Sequence, residues 1–599
     1  MPQNYFRIFK KNLAGVLALS ACTGGLYAQS VALQDLSAFR NPSPNWQLAG
    51  NVWANPDVKY DLRKASEGRS ILVNLPTDPK QSKDIYSIQE HGDADIEMEF
   101  MMAKESNSGI YLQGRYEIQL LDSWGKKHPS AGDCGGIYER WDESRPQGEK
   151  GYQGYAPRQN ASRVAGVWQK IRISFQAPRF DKSGKKTENA RILSIYLNDL
   201  LIHENVELTG PTRGGMNNDE VARGPLRFQG DHGPVAFRNI VIKPFDSPKP
   251  AFKELGYIVH EGRVLNREEL NNLKPVKEGK ALLIDNSVSS LTNNYVLRYK
   301  GKISIPVKGK YRFSGDFRGG YGSLKVGDQT VFPFAWHRDS REVELPAGDL
   351  PFEYSYAKVN EGDKPGLGLS VSGPGVRQTS LNEVGSAGSA RVSDPISLEP
   401  DRETAIHRSF IDFGGQKLPY GVSVGSINGV NFSVNLANGA LIRSWRGLFL
   451  NVTPMWLSRG NGVSTPMGSV LNLNDTPQVS GVGGQPAGDY LLKGYKVDDD
   501  NNPTFLYTFG GAGFQDKIAS DPSGKYIDRT VTADTKGAPF RFILARGSEI
   551  AEQPGGLFLV DGQFFIKVKE GGRAAIENKD GMKLLAVDAA GQLSYSLIW

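Results

Sequence analysis

Asp95-Ile96-Glu97-Met98-Glu99-Phe100 alternates polar and apolar side chains without a break, the pattern of a strand with one face in a core and one in water. The pattern recurs along the first third of the chain. Ile110-Tyr111-Leu112 leads across a turn at Gly114 into Tyr116-Glu117-Ile118-Gln119-Leu120, and Trp168–Phe175 and Ile192–Leu197 continue the theme, the latter closed by an Asn198-Asp199 turn. No long stretch carries helical periodicity, and 69 glycines and 34 prolines punctuate the 599 residues. Short strands at this spacing, with no helices between them, predict an antiparallel β-sandwich. The chain is also too long for a single core. The expectation is an all-β protein: an N-terminal sandwich over 31–246, then two further β-rich domains over 251–395 and 398–599.

Composition narrows the function classes. The formal charge of +6 comes from 71 basic and 65 acidic residues mixed along the chain, with no basic stripe carrying interleaved aromatics. Nucleic acid is therefore not an expected partner. Two cysteines rule out a disulfide framework, a zinc ribbon and covalently attached haem. No Gly-x-Gly-x-x-Gly opens a βαβ unit, so no dinucleotide, and no other cofactor, is expected.

Residues 1–28 read as an export signal. Arg7, Lys10 and Lys11 form a basic region and Leu13–Ala21 a short apolar one, too short to span a bilayer as a stable helix. Two processing routes are open: cleavage after Leu26-Tyr27-Ala28, or a lipobox at Leu19-Ser20-Ala21-Cys22 that would leave Cys22 acylated. Either route predicts a periplasmic or extracellular protein, with a membrane contact only through a lipid anchor.

Farther along, Asp246-Ser247-Pro248-Lys249-Pro250 marks a linker, and Asn382–Pro395, rich in Gly, Ser and Ala, reads as a spacer. Asp498-Asp499-Asp500-Asn501-Asn502 lacks the register of an EF-hand loop and reads as an exposed turn.

The chemistry concentrates in the first domain. Alternation puts Glu117 and Gln119 on one strand face and Ile118 and Leu120 on the other. With Ile118 and Leu120 in the core, Glu117 and Gln119 line an open face of the sheet. Gly135-Gly136-Ile137-Tyr138 opens a loop bearing Tyr138, Trp141, Tyr152 and Tyr155, aromatics suited to stacking on a sugar ring. Near the domain's end stands Gln229-Gly230-Asp231-His232-Gly233-Pro234-Val235-Ala236-Phe237-Arg238-Asn239-Ile240.

Together with Asn107-Ser108-Gly109-Ile110, Tyr116-Glu117-x-Gln119-x-x-Asp122, Asn160-Ala161-Ser162-Arg163 and Leu208-Thr209-Gly210-Pro211-Thr212, these motifs resemble the 3-keto-disaccharide hydrolase domain family. The resemblance implies a concanavalin-like sandwich (a jelly roll) acting on sugars, as hydrolase, lyase or binder. The long insert from Glu139 to Gln159 departs from the family pattern and should reshape the pocket mouth.

Ordinary glycosidases need two carboxylates flanking the bond. Laminarinase-type enzymes on the same sandwich set acids at alternate positions of one strand, where this chain has Glu117, Gln119 and Leu121. A keto sugar removes that need. A ketone at C3 acidifies the C2 hydrogen, so one base, one group stabilising the enolate and one proton for the leaving oxygen suffice.

The resemblance makes His232 or Glu117 the candidate for proton transfer and Arg238 the candidate for polarising the ketone. Asn107, Gln119, Asp122 and Gln229 would hold ring hydroxyls, with Tyr138 and Trp141 stacking. His91, His128 and His203 match no motif and read as surface residues. No ligand spacing demands a metal, though His232 with Glu117 or Asp122 leaves one open.

The second domain, through Tyr299–Pro306, Gly309–Phe313, Leu345–Gly348 and Ser372–Gly375, resembles the protective-antigen-type carbohydrate-binding domain. It lacks the aspartate pair that calcium-dependent members carry. The third, with Ser444–Asn451 and Met455–Gly460, resembles β-domains that accompany secreted sugar dehydrogenases and cytochromes, and no chemistry is expected of it. The functional expectation is an exported enzyme that cleaves 3-keto-glycosides supplied by a separate sugar oxidoreductase. Its rival is a non-catalytic glycan-binding or cell-surface protein.

Overall fold

The computed structural model describes residues 29–76, 82–336, 339–386, 394–486 and 488–599. The expected export signal with Cys22, and residues 387–393 of the expected spacer, lie outside them. Strands dominate. The α-helix among the described residues is Thr453–Leu457, and no described helix is long and apolar enough to cross a membrane.

The N-terminal sandwich is built from an eight-stranded and a five-stranded antiparallel sheet. The larger has at its centre Gln169–Gln176, Ala94–Met102, Val235–Pro244 and Leu62–Asn74 in that order. The smaller runs Phe39–Arg40, Ile85–His91, Gly224–Phe228, Asn107–Leu112 and Tyr116–Leu121. The alternating side chains meet between the sheets: Ile96, Met98, Phe100, Ile118, Leu120, Ile173, Phe228 and Phe237 are buried in one cluster. Each such side chain contributes roughly 1.5–3 kcal/mol on leaving water. Registering Gly109 against Gln119 and Tyr111 against Glu117 leaves those four on the opposite, outer face.

Ser247–Ala387 forms a compact unit of its own, a six-stranded and a four-stranded sheet around Tyr299, Phe313 and Tyr354. The spacer begins later than its composition suggests. Asn382 is buried, accepting the Leu369 N–H (2.5 Å) and donating to the Leu367 carbonyl (2.5 Å), and the Ser386 hydroxyl donates to Asp285 (2.8 Å).

The second compact unit combines Ala28–Asp246 with Gly388–Trp599. Its C-terminal part holds six-, five- and eight-stranded sheets around a core that includes Phe505, Phe542 and Tyr595. The acidic turn at Asp498 is exposed, and Asp498 Oδ1 accepts the Asn502 N–H at 2.8 Å. The two parts of this unit meet over Val164, Val167, Leu557 and Phe565.

Candidate active site

On the outer face of the five-stranded sheet lies a pocket of about 300 Å³ whose walls include Glu117, Gln119, Asn107, Gln229, Tyr138 and His232. Six of the nine residues expected from the sequence thus converge. Glu117 is 2% exposed, and the chain from Gly135 to Tyr138 runs along the outer edge of its strand. The Gln119 N–H donates to Gly136 O (2.8 Å), and the Tyr138 N–H donates to Glu117 O (3.0 Å). The Glu117 side chain lies across Gly109, where a Cβ would collide with Oε1 and displace the carboxyl.

Burial pushes the Glu117 carboxyl up to about 8, against the lowering pull of the Tyr111 hydroxyl that bonds it and of the Arg227 cation; Asp84 and Asp231 add to the rise. Tyr111 is itself held above the ordinary phenol range by burial and by the Glu117 charge. The Arg227 guanidinium sits 4.1 Å from the Tyr111 ring centre, donates from Nε to Asp84 (2.6 Å) and reaches the Gly214 carbonyl (2.6 Å). A carboxyl titrating near neutral pH can both take and give a proton.

Apart from Glu117, the polar side chains that line the pocket are neutral or cationic. Gln119 Nε2 donates to Asn107 Oδ1 (2.8 Å), while Gln229 Oε1 is buried without a hydrogen-bond partner. His232 is bonded through Nδ1 to Asp231, leaving Nε2 as the ring nitrogen free to exchange a proton. Arg213 also lines the pocket, its guanidinium 3.7 Å from the Trp141 ring centre.

Three expected residues stand elsewhere. Arg238 is on the eight-stranded sheet, paired with Glu99 and stacked 4.1 Å from the Trp168 ring centre; its strand belongs to the other layer, so its outward face is remote from the pocket. Asp122 accepts the Glu105 N–H (2.8 Å) and lies 3.8 Å from Lys104 Nζ. Trp141 stands behind Arg213, and Tyr152 is likewise covered by Arg145 at 3.9 Å.

His91 and His203 are not surface residues. Both are buried, and burial lowers each to about 4. His91 Nε2 accepts the Gln113 N–H (3.1 Å), and His203 Nε2 contacts the Gly135 carbonyl at 2.9 Å. His128 is exposed. Sequence reasoning missed Tyr111, Arg227 and Arg213. Arg213 directly follows the Leu208–Thr212 segment, and that adjacency was the available signal.

The fold and site define a concanavalin-like sandwich with a polar pocket suited to a sugar ring. Residues 34–243 match the model of the family described as the 3-keto-alpha-glucoside-1,2-lyase-like domain, and the N-terminal domain is of that kind. Family and pocket together support a carbohydrate-active role. No curated protein matches the chain.

Among solved structures, a "putative glycosyl hydrolase" of Parabacteroides distasonis ATCC 8503 is 24% identical, covering 36% of this chain and 83% of its own, with a TM-score of 0.23. A second from the same bacterium is 18% identical over 33% of this chain and 98% of its own, with a TM-score of 0.20. An "anti-sigma factor domain-containing protein" from Clostridium clariflavum is 10% identical over 61% and 98%, with a TM-score of 0.19.

Proposed function

We propose that the N-terminal sandwich cleaves 3-keto-glycosides by elimination across C1 and C2. Glu117, as carboxylate, removes the C2 proton, and the electron pair forms the enolate over C2, C3 and the ketone oxygen. Arg213, in place of Arg238, stabilises that oxygen. The enolate then collapses: the ketone re-forms, a C1–C2 double bond appears and the C1–oxygen bond breaks. The leaving oxygen takes its proton from His232 or from the protonated Glu117. Water adding across the new double bond gives net hydrolysis. Asn107, Gln119 and Gln229 hold ring hydroxyls, and Tyr138 supplies the apolar wall. Residues 1–28 make this an exported enzyme, fed by a separate sugar oxidoreductase that installs the ketone.

One observation carries the reading: a single buried carboxyl, raised to about 8, faces a pocket that offers a cation and an imidazole but no second carboxylate among its lining residues. The matched family's description as 1,2-lyase-like supports elimination over direct hydrolysis. The test is incubation of the purified chain with a 3-keto-glucoside and with the matching unoxidised glucoside. Aglycone release from the first alone is expected, with kcat/KM rising as Glu117 ionises through about pH 8. Equal rates on both would sink the proposal, and binding without release would leave a lectin.

A further inference from the structure

We infer that the C-terminal part of the chain positions the pocket wall, and that Gln159 is the positioning residue. The wall that carries Tyr138 is not a strand of either sheet. It hangs between the edge of Tyr116–Leu121 on one side and a bridge to Tyr155 on the other, where the Ile137 N–H donates to Tyr155 O (3.0 Å) and the Tyr155 N–H donates to Ile137 O (2.9 Å). Just beyond Tyr155 the chain reaches Gln159, whose carboxamide leaves the sandwich altogether. Its Oε1 accepts the Leu448 N–H (3.0 Å) and its Nε2 donates to the Met467 carbonyl (3.0 Å).

Leu448 and Met467 are cross-strand partners in the hairpin of Ala440–Asn451 and Thr465–Asn472, beside a register shift between Leu448 and Leu450. The carboxamide, using one N–H and its carbonyl oxygen in a plane, acts there as a peptide group added to the ladder where regular pairing lapses. The receptor is shaped for it. Gly447 has φ +107, and a Cβ on it would collide with Gln159 Oε1.

Contacts on both sides of Tyr138 have the same direction. Trp124 Nε1 donates to Trp599 O (2.7 Å), an Arg163 guanidinium nitrogen to Val470 O (3.2 Å), and the Trp168 N–H to Gly562 O (2.7 Å). Simple adhesion would need only the apolar contact of Val164, Val167, Leu557 and Phe565. The peptide-like bond at Gln159 instead fixes the chain that forms the wall.

The test uses the full chain and reads hydrogen exchange over 134–160. Gln159→Ala removes the carboxamide, and Gly447→Ala blocks its receptor from the other side. Both should speed exchange in that segment about tenfold, the order expected for one net hydrogen-bond contribution, while Ala94–Met102 stays at the wild-type rate. Leu557→Ala, which thins the apolar contact without touching Gln159, should leave 134–160 unchanged. Wild-type exchange in the first two variants, or equal acceleration in all three, would overturn the inference.

A kinetic arm rests on the keto-glycoside reading: a displaced Tyr138 should raise KM several-fold at near-constant kcat. Selective loosening of the wall in a protein that turns over no keto-glycoside would uphold the positioning role and refute the substrate assignment. The two can therefore fail separately.

Discussion

Two clusters in this molecule are made from nearly the same parts. In the N-terminal sandwich Asp84, Tyr86 and Tyr111 surround Arg227, and Glu117 joins them through Tyr111; in the C-terminal part Arg529, Asp516, Tyr507 and Tyr595 pack together. Both arginines are buried, at 8% and 1% exposure, and in both burial works against the charge while the neighbouring aspartate and tyrosines together more than offset it. The difference is one carboxyl. Arg529 grips Asp516 with two bonds, Nε to Oδ1 (2.9 Å) and a terminal nitrogen to Oδ2 (2.6 Å), and Tyr507 donates to Oδ2 (3.1 Å). Charge balances and the cluster is closed. In the sandwich Asp84 already claims Arg227, so Glu117 is an acid in excess, and the pocket opens onto it. A buried ion pair in balance holds a core, whereas the same pair with one extra acid holds a proton near neutral pH.

Substitutions at the two clusters should separate these roles. Glu117→Gln should cost about 10²–10⁴-fold in kcat/KM on a keto-glycoside, or roughly 3–5 kcal/mol of transition-state stabilisation. The same change should stabilise the fold at higher pH. The Glu117 carboxyl moves from an ordinary value of 4.5 to about 8, so the native state holds its proton more tightly than the unfolded chain does. That stability is fully present below pH 4.5 and is lost as pH rises through about 8; glutamine has no such loss. Melting curves of both proteins from pH 5 to 9 should diverge in favour of the variant, by a few kcal/mol.

Arg529→Met should do the reverse. Leaving Asp516 uncompensated should cost about 3–5 kcal/mol of stability in denaturant titration, with kcat/KM of the folded protein unchanged. Tyr111→Phe is the intermediate case. It removes a hydrogen bond that lowers the Glu117 value, so the rising limb of kcat/KM should move to higher pH and the rate at pH 7 fall about tenfold. Arg238→Met should be the mildest, within about 1 kcal/mol of stability and without effect on turnover, since its partner Glu99 and its pair partly face water.

Alternation along Tyr116–Leu121 was enough to read which side chains meet the core and which face the pocket, because strand period is local. It could not say which sheet a strand joins. Phe237 in the core sends Arg238 outward, but only the sheet order shows that this outward face is the far one. Proximity to His232 in sequence therefore misplaced it. Tyr111 and Arg227 were hidden for a related reason: their importance comes from cross-strand register, Tyr111 opposite both Glu117 and Arg227. His91 and His203 read as surface because a lone histidine in a strand carries no signal of what covers it. Arg213 lies in a loop with no period at all, and Asp122 looks like a site residue until the Glu105 N–H is seen to occupy it.

The bond between Gln159 and Leu448 spans 289 positions. At roughly 5–20 residues per second of synthesis, about 15–60 s separate the appearance of the two partners. For that interval the sandwich can close its own core while Gln159 has nothing to hold. Assembly of this molecule therefore has an order in time, with the barrel of the lock made first and the bolt seated last.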